Sequence, residues 1–506
     1  MNREQSGEKT YTRQLSTLLA KLNPLDAKNL TDVTVEEIAH DSRRVSSGSL
    51  FVALRGTDAD GHDYIGQAAD SGACAVLCEE LPDSMPDIPV VRVQDTRTAL
   101  SALADAFFGH PSRRLKTAGV TGTDGKTSTT TLLDHILRSA GCRAGRTGTL
   151  VHSLGGRTVD SDMTTPDPFE LHRMLDEMAS AGLTHACLEV SSHSLSLHKT
   201  DHVDMDVAIL TDITEDHLDF HGTRENYIRA KQRLFENLSP ESTAILNADS
   251  DVCERFRKAT PANVLTYGMD TLADIRGRIL EQTPQGTKLA FRTPLWGRTL
   301  ETPLIGDFNC RNVLAAAAAA FALGCESGDV AGALENFTGV PGRMEKVQAG
   351  SPDLPGVCVD YAHTPDALDK VLSALRPLVD DKLVCVFGCG GDREKEKRPA
   401  MGRIATEKAD YSVITSDNSR SEDPHDIIDD ILDGVSAPSS RYRVEADRRA
   451  AIRLGISAAR GPNSMVVVCG KGAESVMDQG DRRIPFDDRM VAAEVLKSMS
   501  RLQKRA

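Results

Sequence analysis

KTAGVTGTDGKTSTTTLL, residues 116–133, passes from an apolar run through a glycine-rich turn into a helix-forming stretch. The turn carries Gly122, Thr123, Asp124, Gly125, Lys126, Thr127 and Ser128. Glycines there let backbone N–H groups close on a polyphosphate at a helix N-terminus, where the helix dipole favours negative charge. Lys126 would neutralise the outer phosphates, and the Thr127 hydroxyl is a ligand for Mg2+. Val120 stands where the strict phosphate-loop pattern has its first glycine, so the assignment rests on strand, GKT and helix falling in register. A triphosphate alone names no reaction, because kinases, switches, motors and ligases all hold one in this way.

Working outward, buried-strand signals at 116–120, 185–190, 207–210 and 243–246 alternate with helical stretches, as a mainly parallel sheet requires. Residues 112–340 are therefore expected to form a central nucleotide-binding domain. It closes on 312–323, where six consecutive alanines favour a slim, closely packed helix. Residues 1–111 hold short β-rich runs such as 49–54 and 75–77 between Gly and Asp turns, which predicts a smaller α/β domain. Beyond Pro341-Gly342-Arg343, buried strands at 357–360, 383–387, 411–415 and 465–469 predict a Rossmann-like α/β domain over residues 341–506. Ligands of open α/β sheets bind at the carboxyl ends of strands, so the polar loops there are where chemistry belongs.

The whole chain of 506 residues, 40% hydrophobic and 26% charged, has the composition of a soluble globular protein. No apolar run nears the roughly 20 residues of a membrane span. The first ten residues, MNREQSGEKT, are polar, so no targeting signal is expected and the chain is placed in the cytoplasm. Eleven cysteines without CxxC spacing read as reduced core residues. A net charge of −15 argues against nucleic-acid binding, which needs a basic face. A monomer without nucleic-acid or membrane partners is expected.

TGTDGKTSTT resembles the TGTNGKTTT of the Mur ligases, and further motifs follow in that family's order over nearly the whole chain. LEVSSH at 188–193 is similar to the strand end where these ligases place a magnesium-binding glutamate, here Glu189, and a substrate serine, here Ser191. TEDHLDFHGTRENYIRAK at 214–231 resembles the family's DHLDYHG followed by a lysine that carries a CO2-derived carbamate. The resemblance thus assigns Lys231 as the carbamate and His217 to the metal neighbourhood, with Thr127, Glu189, Lys231 and His217 around Mg2+. Lys126, Lys231, Glu189 and His217 become the catalytic candidates. A carbamate turns an amine into an anionic oxygen ligand suited to a hard cation. Asn309 in DFNCRN, Arg343 in PGR and Asp360 in VDYAHTPDAL match the family's ATP contacts, with His363 in the same run.

HDSRRVSSGSLFVALRG at 40–56 resembles the uridine-diphosphate pocket of the Mur ligases that add the third residue of the muramyl peptide. The resemblance implies that His40, Ser42, Thr164, Thr165, Ser191 and Lys199 bind the UDP-muramyl peptide. The family's glutamine and arginine after EVSSH correspond here to Leu197 and Lys199. The loops with Arg393, with Asp417-Asn418-Ser419-Arg420, and with Gly470 and Glu474 resemble the amino-acid site of the diaminopimelate-adding members. There DNPR is DNSR, and GKGHE is GKGAE. A guanidinium at position 420 would grip a carboxylate that lysine lacks, and Glu474 would accept from an ammonium.

The resemblance implies an ATP-dependent amide ligase joining meso-diaminopimelate to UDP-MurNAc-L-Ala-D-Glu through an acyl phosphate, in cell-wall synthesis. The same ligase adding L-lysine, a folylpolyglutamate-synthetase-like ligase, and a non-catalytic nucleotide switch are the alternatives. The run at 40–56 stands against the folate reading. The switch leaves Glu189, Lys231 and DNSR unexplained.

Overall fold

The computed structural model describes residues 11–503 apart from 57–58, 162, 215, 295 and 349–350. The polar start at residues 1–10, expected to carry no targeting signal, lies outside the described residues. Among the described residues the chain builds three larger sheets in succession, each covered by helices.

The central sheet has eleven strands and is built around the phosphate-loop strand Lys116–Thr121. This strand lies between His185–Glu189 and Val207–Leu210, parallel to both. Thr243–Asn247 and Asn263–Gly268 extend the parallel run on one side and Ala144–Thr147 on the other. Successive side chains point to opposite faces, so Cys187 and Ile209 join a core under helices Lys126–Ser139 and Asp307–Ala322. Leu188 and Leu210 join a second core, under Pro168–Ser180 and Arg224–Glu236. Burial on both faces is why these strands read as continuous apolar runs. The sheet's margins are antiparallel: a hairpin of Val151–Ser153 and Thr158–Asp160 ends one side. A meander of Ile275–Thr283, Gly286–Arg292 and Gly297–Thr302 ends the other. Its first residues alternate, with Ile275 and Gly277 buried and Arg276 and Arg278 exposed, because helices cover only one of its faces.

The amino-terminal sheet orders Asp26–Lys28, Val90–Arg92, Ala75–Cys78, Ser49–Val52 and Glu37–Ala39, parallel except for the first strand. Its helix Thr96–Phe107 packs against the central helix Pro168–Ser180. Phe107, Phe108 and Phe169 meet there with ring centroids 5.1 to 5.5 Å apart. Asp105 accepts from His110 at 2.6 Å, Thr98 meets His198 at 3.1 Å, and both Tyr11 and Arg114 close on Asp176.

The carboxyl-terminal sheet orders Glu345–Val347, Gly356–Asp360, Met465–Cys469, Leu383–Phe387, Tyr411–Ile414 and Tyr442–Val444, parallel except for its first strand. The passage into it is tight. Gly342 is left-handed (φ 64°), and a Cβ there would lie 2.0 Å from the amide nitrogen of Ala473. Lys346 Nζ donates back to the carbonyls of Gln285 (2.6 Å) and Pro303 (3.1 Å) in the central unit. No described helix is long and apolar enough to cross a membrane.

Candidate active site

The phosphate loop is held from below by the segment after strand Val207–Leu210. Thr123 donates its N–H to the Asp212 carbonyl (2.6 Å), and a Cβ on Gly122 (φ 150°) would lie 1.8 Å from Thr211 Oγ1. A Cβ on Gly125 (φ 82°) would lie 2.3 Å from Asn312 Oδ1, so the loop needs glycine at both places. Lys126 Nζ donates to the carbonyls of Gly122 (3.0 Å) and Thr123 (2.7 Å). Burial lowers its pKa, opposed by the charges of Glu189, Asp124 and Asp216.

Thr127 and Glu189 meet at the carboxyl ends of neighbouring strands, the hydroxyl donating to Glu189 Oε2 at 2.9 Å. Thr149 adds its N–H (3.1 Å) and hydroxyl (3.0 Å) to the same carboxylate, which is only 2% exposed. A Cβ on Gly148 would lie 2.1 Å from Glu189 Oε1, so that glycine makes the cradle for the carboxylate. This all-oxygen donor set fits Mg2+. Among the described residues no group of three or more His, Cys, Asp or Glu side chains could hold a metal. A cation here would therefore depend on the hydroxyl, on phosphate oxygens and on the carbamate expected at Lys231.

Helix Arg224–Glu236, capped by Thr223, carries Lys231 inward. Its Nζ donates to the Gly122 carbonyl at 2.7 Å and lies 4.5 Å over the ring of Tyr227, with 1% of the residue exposed. Burial and then the nearby Lys126 push its pKa well below the ordinary lysine value, which favours the neutral amine. Tyr227 in turn bonds Thr123 Oγ1 at 2.9 Å. His217, left-handed at φ 55°, lies edge-on to His193 with centroids 4.7 Å apart. Burial lowers its pKa to about 4, with His193, Lys126 and Lys231 acting in the same direction against Asp216. A neutral imidazole, able to ligate, is the result.

Three expected nucleotide contacts have structural partners. Asn309 donates to the Ile305 carbonyl (2.8 Å), while Asn312, three positions on, is the amide beside the phosphate loop. Asp360 accepts from the N–H groups of Met344 and Ala362, each at 2.7 Å, and so fixes the passage that carries Arg343. Burial raises its pKa against the pull of Arg343. The Arg343 guanidinium lies 4.3 Å over the ring of Tyr361.

A cavity of about 380 Å3 lies between the amino-terminal and central units, lined by His40, Asp41, Arg44, His152, Met163 and Asp167 among others. Asp167 is 2.7 Å from Lys199 and 3.6 Å from His40. Burial alone would raise the pKa of Asp167, but these two neighbours hold it well below the usual carboxylate range. Ser42 begins the adjoining 3-10 turn Ser42–Arg44. Thr164 bonds Thr149 at 3.1 Å, and Thr165 donates to the Glu189 carbonyl (2.8 Å) while accepting from Ser191 N–H (3.1 Å). Ser191 caps helix Ser192–Ser196. These hydroxyls link Thr164, Thr165 and Ser191 to the loop and strand end that hold Glu189.

In the carboxyl-terminal unit, Asp417, Asn418, Ser419 and Arg420 follow strand Tyr411–Ile414. Arg420, at φ 49°, donates to the Gly391 carbonyl at 2.6 Å. Arg393 is exposed and donates to the Asp392 carbonyl (2.9 Å). Glu474 accepts from Asn418 and from Lys471, both at 2.8 Å, and Lys471 also donates to Asn418 Oδ1 (2.9 Å). Gly470 is obligatory, since a Cβ there would lie 2.4 Å from Asp417 Oδ2. Sequence reasoning missed the fully buried cations that hold these loops. Lys471 stood inside a quoted motif and could have been found. Arg448 pairs with Asp488 at 2.7 Å, unmarked by any motif, whereas Arg398, in the same run GCGGDREKEKRP as Arg393, pairs with Glu422 at 2.8 Å.

Comparison with known proteins finds matches in all three units. Residues 34–108 match "Mur ligase family, catalytic domain", 120–320 "Mur ligase middle domain", and 342–472 "Mur ligase, glutamate ligase domain". The chain is 39% identical over 489 residues to a UDP-N-acetylmuramoyl-L-alanyl-D-glutamate--2,6-diaminopimelate ligase of Bacillus cereus, covering 96% of this chain and 98% of that one. It is 42% identical over 475 residues to the Solibacter usitatus protein of the same name, covering 93% and 95%. A solved structure of a ligase of that name superposes with a TM-score of 0.67 at 30% identity, over 92% of this chain and 95% of the other. With matches in all three units and relatives aligned nearly end to end, the chain belongs to the Mur ligase family.

Proposed function

We propose that this Mur ligase couples ATP hydrolysis to joining meso-diaminopimelate to UDP-MurNAc-L-Ala-D-Glu in peptidoglycan synthesis. The observation that carries the reading is the convergence of Lys126, Thr127, Glu189 and Lys231 on one phosphate loop, in a chain about 40% identical to relatives named for that reaction. A free carboxylate is a poor acyl donor. In the proposed reaction the terminal carboxylate attacks the γ-phosphorus of ATP and ADP leaves. The amino group of meso-diaminopimelate then attacks the acyl carbon, giving up a proton as the amide bond forms and phosphate leaves. Lys126 would offset charge on the transferring phosphoryl group. Thr127, Glu189 and the carbamate of Lys231 would hold Mg2+, which when bound supplies Lewis-acid stabilisation of the phosphoryl oxygens. The cavity beside His40 and Lys199 suits the UDP-muramyl end, and the Arg420 loop suits the amino acid.

The test offers the enzyme ATP, Mg2+ and UDP-MurNAc-L-Ala-D-Glu with a panel of amino acids and reads product mass. A tripeptide product with meso-diaminopimelate is expected. Product only with L-lysine would overturn the substrate and keep the ligase. ATP turnover without any amide product would overturn both.

A further inference from the structure

The phosphate loop carries a carboxylate of its own, Asp124, where a polyanion is to be received. A second carboxylate, Asp212, belongs to the segment whose carbonyl holds Thr123 N–H. Among the described residues neither has an ion-pair partner in the central unit, although Asp124 acts through space on Lys126. Lys370, on helix Pro365–Leu375 of the carboxyl-terminal unit, places Nζ 3.2 Å from Asp124 and 3.6 Å from Asp212. It also lies 2.6 Å from Asp366, one turn back on its own helix. The pair with Asp366 would exist in the helix alone, whereas the contacts to Asp124 and Asp212 exist only across the two units.

We propose that Lys370 is a positioning residue for the nucleotide: supplied by the carboxyl-terminal unit, it cancels the charge of Asp124 and Asp212, so that the loop takes a polyphosphate at full affinity only with helix Pro365–Leu375 docked. The inference rests on the reading of this loop as the triphosphate site. Without Lys370, three carboxylates would stand together beside the bound phosphates, and like charges at such separations repel strongly where water is partly excluded. Burial alone would lower the pKa of Lys370, but the surrounding carboxylates raise it above the ordinary lysine value, so it stays charged. Nucleotide affinity and the position of the carboxyl-terminal unit are thereby coupled in both directions, since any coupling free energy is reciprocal.

The experiment titrates a non-hydrolysable ATP analogue with Mg2+ into the full-length wild type and the variants K370M, D124N, D124N/K370M and K126A. K370M should bind about tenfold more weakly, D124N no more weakly than wild type, and D124N/K370M within about threefold of wild type. A lysine that merely packed the helix would not be rescued by removing a carboxylate from the loop. K370M binding within twofold of wild type, or a double variant no better than K370M, overturns the coupling. K126A binding as wild type instead overturns the reading of the loop itself. K370Q, which keeps a polar side chain on that face, repeats the test should K370M be recovered poorly.

Discussion

Gly122 offers one carbonyl oxygen to two lysines, Lys126 at 3.0 Å and Lys231 at 2.7 Å, and burial, then the charge of Lys126, favours loss of a proton from Lys231. An amine must be neutral to add CO2. Replacing Lys231 by alanine should abolish amide formation while leaving the thermal unfolding profile recognisable, and short carboxylates should restore part of the activity. Full ligation by that variant would remove the proposed carbamate. Arg420 is held through a single guanidinium nitrogen by Gly391. Arg420→Ala should lower kcat/KM for meso-diaminopimelate by roughly ten- to a hundredfold, the worth of a charge-assisted bidentate contact, with little change for ATP. The comparison with L-lysine in the same assay decides whether the distal carboxylate is what Arg420 reads. His172 faces a different constraint: it is fully buried, both ring nitrogens lack a hydrogen-bond partner, and burial lowers its pKa to about 3. Its 3.7 Å approach to Asp105 is therefore not an ion pair at neutral pH. The unfolded chain takes up a proton near pH 6.5 that the folded chain refuses until about pH 3, so stability is lost as pH falls through that window. His172→Leu should flatten the decline of the urea midpoint between pH 7 and 4.5, and an unchanged slope would assign the decline to other groups.

Helix Asp307–Ala322 buries Ala315 to Ala320 completely, a run long enough to bring every side of the helix into contact. It packs against the phosphate-loop helix Lys126–Ser139, so side-chain volume added there presses on the nucleotide site. Ala317→Leu should cost about 1 to 3 kcal/mol of stability, read as a lowered urea midpoint, and should also weaken nucleotide binding. An unchanged midpoint would mean that the helix can move aside. This helix and the parallel strands were legible in the sequence because burial on both faces leaves continuous apolar runs or alanine. The meander at 275–302 was not, since its alternating, half-exposed strands resemble loop sequence when no partner is known. The same division holds in the site. Lys126, Thr127, Glu189 and Lys231 sit in local motifs whose spacing the chemistry dictates. Arg448 and Asp488 lie 40 positions apart, and Lys370 meets Asp124 across 246, so only folding brings them together. Asn309 and Asn312 share one motif, and only the close approach of Gly125 shows which amide stands beside the loop.

The three units are joined by different physics. The amino-terminal unit meets the central one through the rings of Phe107, Phe108 and Phe169, with His110 and Asp105 closing the corner. The carboxyl-terminal unit meets the central one through Lys370 on its carboxylates and Lys346 on two carbonyls, with Ile305 and Phe308 of the central unit packed on the carboxyl-terminal core. In the proposed reaction, such a layout would keep the muramyl-binding side fixed to the phosphate loop while the amino-acid side approaches and withdraws. Ionic strength acts unequally on these two seams. At about 1 M salt the Debye length shrinks to roughly 3 Å, which screens partly exposed pairs such as Lys370 with Asp124 and leaves aromatic contacts as strong as before or stronger. In brine, then, the carboxyl-terminal unit should keep its apolar hold at Ile305 and Phe308 while its ionic latch on the nucleotide loop slackens.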